Sequence, residues 1–447
     1  MAELPNSKTV STKLERIATL AQQMPGVAIH SLSHHIDVDW LREAYRRTRK
    51  DGARGVDGQS AAEYAKDLEG NLETLLNKAK SGSYRAPPVR RVHIPKGKGG
   101  TRPLGIPTFE DKVLQRAIAM ALEAIYEQDF LPCSFGFRPG RSAHQALETL
   151  QNRAVCMAGG WVLEIDIEKF FDRLDHAKLM EILRQRVHDG VVLRLIGKWL
   201  NAGVLEDGCT THSSIGTPQG GVISPLLANV YLHEVLDRWF ECEVKPRLAG
   251  LAEMIRYADD AAILFSREED ARRVLDVLPK RLEKYGLTLH PTKTRLVEFR
   301  RPDRVPPSRG GGASKPGTFD LLGFTHRWGK SRLGKHIVKR QTARDRFGRA
   351  LSRIAEWCKR NRHEDVRTQH EHLTAKLCGH FQYFGIPGNS KALTRFRFAV
   401  IGIWRKWLAR RSRRAPMSWE RMSRLLRSYP LPLPRIAHPL PQRAANL

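Results

Sequence analysis

Three observations predict a protein of the α+β class. The segment Trp161-Val-Leu-Glu-Ile-Asp-Ile167 alternates, with Trp161, Leu163, Ile165 and Ile167 on one face and Glu164 and Asp166 on the other, as a half-buried strand requires. The segment Met254-Ile-Arg-Tyr-Ala-Asp-Asp-Ala-Ala-Ile-Leu-Phe265 sets two apolar arms around an Asp-Asp tip, which is the pattern of a hairpin. Beyond Lys335 the chain reads as helical and strongly basic, with Phe396, Val400, Ile403 and Trp407 on one apolar stripe.

The remaining elements follow local rules. Asp39 is the predicted N-cap of a helix that begins Asp39-Trp-Leu-Arg. From Tyr84 to Pro107 a short strand around Val92-His93-Ile94, a cationic loop over residues 95–103 and a second strand are expected. Leu227, Val230, Tyr231, Val235 and Trp239 recur at helical spacing and leave His233, Glu234 and Asp237 off their stripe, with Ser224 as N-cap and Pro225 at the first helical position. Residues 302–318, rich in Pro and Gly, read as a long surface loop, because Phe319-Asp-Leu-Leu-Gly-Phe324 resumes a strand-like pattern.

A chain of 447 residues is long enough for two or three packed units. Its formal charge of +29 points to a polyanionic partner, and the excess sits late: residues 327–427 hold 27 Lys/Arg against 6 Asp/Glu, whereas residues 1–326 hold 47 against 41. No apolar run approaches the roughly 20 residues a bilayer needs, so no membrane partner is expected and the basic surface is assigned to nucleic acid. The first residues lack an apolar stretch of signal-peptide length, and Glu3 and Glu15 argue against a transit peptide, so a cytoplasmic location is expected. Six cysteines without a CxxC pair signal neither a zinc site nor a disulfide framework.

The chemistry-bearing residues are acidic. Joining nucleotides needs in-line attack of a hydroxyl on phosphorus, which two magnesium ions about 3.5 to 4 Å apart can stabilise at both oxygens. Magnesium takes hard oxygen ligands, and Asp166 on one strand with Asp259 and Asp260 at a hairpin tip would supply them if the strands are neighbours. An Asp-Asp pair by itself is more often a plain turn. Its setting carries more weight.

Tyr257-Ala-Asp-Asp260 resembles the YxDD box of reverse transcriptases, with Asp166 in a matching partner box. Gly216-Thr-Pro-Gln-Gly-Gly-Val-Ile-Ser-Pro225 resembles the QGxxxSP element, residues 286–294 resemble the lysine-bearing element after YxDD, and residues 319–324 look like the primer-gripping strand. Residues 55–58, 92–107 and 134–142 are similar to fingers elements of the group II intron branch, and Cys378-Gly-His-Phe-Gln-Tyr-Phe-Gly385 with the basic helices after it is similar to that branch's thumb, the maturase or X domain. The resemblance runs from about residue 40 to about 430. It lacks a Cys/His cluster of the kind that relatives with a DNA endonuclease carry.

Carried over residue by residue, the resemblance implies Asp166, Asp259 and Asp260 as catalytic metal ligands for two Mg2+ ions. Lys96 and Arg102 match fingertip positions that embrace a deoxynucleoside triphosphate, where cations suit phosphate charge. Gln219 and Gly220 match the loop that approaches the nucleotide. Phe171 stands where the family places an aromatic under the sugar that would clash with a 2′-hydroxyl, and its neighbour Phe170 is then the core residue; a register slip would exchange them. Lys293 is placed to stabilise or protonate the leaving pyrophosphate. Arg405, Lys406, Arg410, Arg411, Arg413 and Arg414, interleaved with Trp404, Trp407 and Trp419, suit a nucleic-acid track.

The implied architecture is a right-hand polymerase, with fingers and an antiparallel-sheet palm followed by an α-helical thumb or X domain. Its divisions are an N-terminal extension and first helical fingers element (1–83), fingers and palm (84–326), a basic helical thumb (327–430) and a proline-rich tail (431–447). The implied activity is RNA-directed DNA synthesis for a group II intron, with assistance to intron RNA splicing and mobility; the partners are intron RNA, an RNA template, a DNA primer and deoxynucleoside triphosphates. The alternatives are an RNA-binding maturase without polymerase activity, or a retron or CRISPR-associated reverse transcriptase.

Overall fold

The computed structural model describes residues 5–95, 100–206, 209–211, 216, 220–304, 317–331, 333–411 and 417–439. Its strands are β1 (Val89–Pro95), β2 (Thr101–Ile106), β3 (Trp161–Ile165), β4 (Val204–Glu206), β5 (Cys209–Thr211), β6 (Ala252–Tyr257), β7 (Asp260–Phe265), β8 (Arg295–Glu298), β9 (Phe319–Leu321), β10 (Phe324–Lys330) and β11 (His336–Thr342). They form three sheets, in the orders β2-β1-β4-β5, β6-β7-β3-β8 and β11-β10-β9. Helices fill the intervals, so the mixed architecture expected from the sequence is present, with a helical region at the C-terminal end.

The chain divides into two compact units, Met1–Ala146 with Leu163–Leu296, and Leu147–Val162 with Val297–Leu447. In the first, β6 and β7 form the expected hairpin, antiparallel from Ala252 opposite Phe265 to Tyr257 opposite Asp260. Strand β3 differs from its expected half-exposed form: Val162, Leu163 and Ile165 are all buried, and so is Glu164, which pairs with Arg295. An interior strand is covered on both faces, and a carboxylate placed there needs a cation.

Two caps shift by one or two residues. The early helix spans Val38–Arg47 and is capped by Asp37, whose Oδ1 accepts the Trp40 N–H at 3.0 Å; Asp39 lies inside the first turn. The helix after the glycine-rich element spans Ser224–Leu232 with Ile223 at the N-cap position, so Ser224 and Pro225 are its first two residues. That helix does not run on as α: from His233 to Val244 it widens into a π-helix. Asp237, read as lying off the apolar stripe, is fully buried. Its partner, Arg256, is buried with it.

The second unit departs from the sequence reading just past Lys335, where β11 pairs with β10 before the helices begin at Arg344. The helices Arg344–Arg360, Val366–Phe384, Ser390–Leu408 and Trp419–Ser428 enclose a core of Leu373, Leu377, Phe381, Leu393, Phe396, Val400, Trp404 and Met422. Trp404, rather than Ile403 or Trp407, completes the inward stripe, and its indole N–H donates to Gln369 Oε1 at 2.8 Å. A fully buried indole needs such an acceptor. The proline-rich stretch after the last helix packs on the same unit, through Arg397 to the carbonyls of Leu431 and Pro432 and through the Ala437 N–H to Gly385 O at 2.7 Å. Among the described residues no helix is long and apolar enough to cross a membrane.

Candidate active site

Strand β7 lies between β6 and β3, so the hairpin tip and the end of β3 belong to adjacent strands. Tyr257 and Asp260 form the last register pair, which leaves Ala258 and Asp259 as a two-residue turn. Ala258 adopts φ of 57°, the left-handed conformation that a two-residue hairpin loop demands at its first position. Asp259 follows it directly.

Asp166 stands just past β3 and is held by the segment that follows the hairpin. Its carbonyl accepts the His290 N–H at 2.8 Å and the Thr294 hydroxyl at 3.3 Å. Its two carboxylate oxygens each lie 3.1 Å from the Lys293 ammonium. The Asp259 carboxyl is pushed above the ordinary carboxylate range, first by burial and then by the charge of Asp166; its own backbone N–H, Arg102 and Lys293 pull the other way. Four residues singled out from sequence therefore share one electrostatic neighbourhood: Asp166, Asp259, Arg102 and Lys293.

Two repelling carboxylates of this kind fit a divalent cation. Magnesium is commonly held by one or two carboxylates together with substrate phosphates and water, so no third protein ligand is required. Asp260 is exposed at the start of β7, and among the described residues no group of three or more His, Cys, Asp or Glu side chains could hold a metal ion. Lys96, Gln219, Arg413 and Arg414 lie outside the described residues.

The two phenylalanines differ in burial. Phe170 is 2% exposed and belongs to the core, whereas Phe171 is half-buried and meets it edge-on at 5.2 Å between ring centroids. The glycine-rich loop is anchored close by: Gly216 N–H donates to Leu174 O at 2.8 Å, and His176 Nε2 lies 2.5 Å from Gly216 O. Gly220 has φ of 123°, and a Cβ there would lie 2.6 Å from the carbonyl oxygen of Gly105 on β2. Only glycine fits that approach.

Sequence reasoning missed the buried polar groups that hold these loops. Asp111 accepts from Tyr84 OH at 2.5 Å, Trp199 Nε1 at 2.6 Å and Gln115 Nε2 at 3.0 Å, and Gln115 Oε1 in turn accepts the Val222 N–H at 2.8 Å. Burial pushes the Asp111 carboxyl up to about 6 despite those donors. The second group is Arg256 with Asp237. An arginine inside an otherwise apolar hairpin arm was the visible signal for it.

Residues 94–326 match the family model for reverse transcriptase (RNA-dependent DNA polymerase). The chain belongs to this family. It is 40% identical over 252 residues to Protein YkfC of Escherichia coli (strain K12), a match that covers 52% of this chain and 66% of that protein. It is 38% identical over 226 residues to the group II intron-encoded protein LtrA of Lactococcus lactis subsp. cremoris, covering 48% of this chain and 37% of that protein. It is 34% identical over 239 residues to an uncharacterized 91 kDa protein in a cob intron of Schizosaccharomyces pombe, covering 53% and 29%. Each match spans less than two thirds of the relative. The resemblance to the group II intron branch drawn from the motifs agrees with these relatives.

Of the basic cluster, Lys406 and Arg410 are exposed, each near the Trp407 ring. Arg405 is engaged within its own unit, donating to Met417 O at 3.0 Å and lying over Trp419 at 4.3 Å, and Arg411 donates to Glu364 O. Trp404 is core and offers no surface.

Proposed function

We propose that this chain is a magnesium-dependent RNA-directed DNA polymerase of a group II intron, and that it also binds the intron RNA to assist splicing and mobility. The observation that carries the reading is that Asp166, just past β3, and Asp259, in the turn before the adjacent strand β7, share their electrostatic surroundings with Arg102 and Lys293. When bound, magnesium would neutralise charge on the triphosphate and on the attacking oxygen, with Asp166 and Asp259 as its protein ligands.

The chain's own groups do the rest. Arg102 faces the triphosphate with a guanidinium that can engage phosphate oxygens in pairs. Phe171 lies under the sugar and selects against a 2′-hydroxyl. The primer 3′-hydroxyl loses its proton to solvent as its oxygen forms the new bond to the α-phosphorus, the bond from that phosphorus to the α,β-bridging oxygen breaks, and Lys293 gives a proton to the departing pyrophosphate and regains one from water. Asp260 completes the Asp-Asp pair without being a required ligand. The intron assignment is supported by the printed description of the Lactococcus relative, and the basic surface including Lys406 and Arg410 suits RNA.

Primer extension on an RNA template with deoxynucleotides and magnesium, comparing wild type with Asp259→Ala, tests the reading. Extension by the wild type alone is expected. Absence of extension from both, with tight intron RNA binding by both, would replace it with a maturase that does not polymerise.

A further inference from the structure

Directly beneath the Ala258-Asp259 turn lies Arg256, fully buried in β6. A guanidinium in that position must find an acceptor for its donors or lose the solvation it had in water. Asp237 takes two of them, Nε at 2.6 Å and Nη2 at 2.5 Å, in a bidentate pair that is buried on both sides. Ser134 Oγ accepts from Nη2 at 2.8 Å, and Asn229 Oδ1 accepts from Nη1 at 3.0 Å. The remaining bond runs from Nη1 to the carbonyl of Ala258 at 2.9 Å.

That last bond differs from the others. Four contacts tie Arg256 to a rigid frame, and the fifth reaches the left-handed residue that immediately precedes Asp259. The frame closes on itself: Asn229 Nδ2 donates to Gly136 O at 2.7 Å, the Arg256 N–H donates to Cys133 O at 2.8 Å, and the Phe135 N–H donates to Arg256 O at 2.9 Å. Gly136 packs so tightly on the turn that a Cβ there would collide with the Ala258 nitrogen and lie 2.9 Å from the Tyr257 carbonyl carbon.

The π-helix supplies the reach. Asn229 and Asp237 are eight residues apart, and in an α-helix at about 100° per residue they would diverge by about 80°. The wider ring of the π-helix from His233 turns less per residue, which swings Asp237 back toward the face that carries Asn229. Both then meet one guanidinium.

We infer that Arg256 is a positioning residue for the polymerase centre: its buried pair with Asp237 fixes the Ala258 carbonyl, and so holds Asp259 against Asp166 in the arrangement that receives a divalent cation. This rests on the polymerase reading above. Arg256 touches neither substrate nor reacting atoms, and acts only through the turn.

The test uses the full chain and Mn2+ as probe, with Mn2+ affinity read by the loss of the free-ion electron paramagnetic resonance signal. Arg256→Lys, which keeps a charge for Asp237 but loses the fork, is expected to weaken Mn2+ binding about ten- to a hundredfold, the range for outer-shell partners of metal ligands. Binding to an RNA/DNA duplex should stay near wild type, while the melting temperature falls because Lys leaves buried acceptors of the Arg256 fork unpaired. Asn229→Ala, which spares the ion pair, is expected to weaken Mn2+ binding by about threefold, as the loss of one hydrogen bond implies; it carries the test should Arg256→Lys not fold. A folded variant with wild-type Mn2+ affinity overturns the inference. Wild type that binds Mn2+ no better than Asp259→Asn overturns the metal-centre reading itself, and the inference with it.

Discussion

Lys293 holds its ammonium nitrogen 3.1 Å from both carboxylate oxygens of Asp166. The pair is open to solvent on the lysine side, so it contributes only about 0–1 kcal/mol to stability. In the proposed mechanism the ammonium passes from Asp166 to the leaving pyrophosphate once a cation takes its place on Asp166. Lys293→Ala is therefore expected to slow single-turnover incorporation by about 10² to 10⁴-fold with little change in melting temperature. The same variant should bind Mn2+ at least as well as wild type, because a competing charge is gone. A melting temperature that falls with the activity would point to a structural lysine instead.

Phe170 and Phe171 are neighbours with different fates. Phe170→Ala opens a cavity in the core and should cost about 3–5 kcal/mol. Phe171→Ala should leave the melting temperature nearly unchanged and raise the incorporation of ribonucleotides relative to deoxynucleotides. Measuring that ratio for Phe171→Ala on an RNA template checks the assignment; an unchanged ratio would contradict it.

Asp111 has a pH signature with a definite sign. Its carboxyl is raised on folding to about 6, so the folded chain binds that proton more tightly than the unfolded chain does. The resulting stability is fully present below the ordinary carboxylate pKa and is lost as pH rises through about 6. Asp111→Asn is neutral throughout, so the variant should gain on wild type by roughly 2–3 kcal/mol between pH 4 and pH 7. Chemical denaturation of both proteins across that range reads the difference, and a constant offset would rule the account out.

The basic helices contain two kinds of arginine and lysine. Lys406 and Arg410 are exposed, and replacing either with Ala should reduce the slope of log affinity against log salt by about one for an RNA duplex. Arg405, bonded to Met417 O and stacked over Trp419, should instead lower the melting temperature when replaced. Equal salt slopes for wild type and Lys406→Ala would remove that residue from the nucleic-acid track.

The hairpin was legible because two apolar arms meet at the Asp-Asp tip, and β3 because its sequence alternates although Glu164 is buried and paired with Arg295 instead of facing solvent. Strand β11 was not. Its inward residues are Val338 and Arg340, so the basic character of His336-Ile-Val-Lys-Arg-Gln-Thr342 concealed the alternation beneath a charge that reads as helix surface. Asp237 and Arg256 escaped for another reason: a buried ion pair joins residues from a helix and a strand, and no periodicity couples the two. The switch to a π-helix at His233 leaves the apolar spacing of Val230, Val235 and Trp239 nearly intact, so the stripe was visible while its geometry was not. The centre itself was half legible. Asp166, Asp259, Arg102 and Lys293 stand in or beside recognisable boxes, whereas the Arg256–Asp237 pair beneath the Ala258 carbonyl lies among residues with no motif of their own.

The most direct measurement is single-nucleotide incorporation on an RNA template with magnesium, for wild type, Asp166→Asn, Asp259→Asn and the double variant. Residues that act as one unit show losses that do not multiply. Each single variant is expected to lose about as much activity as the double; independent losses that multiply, or a single variant that retains most of the wild-type rate, would contradict a shared centre built from these two carboxylates.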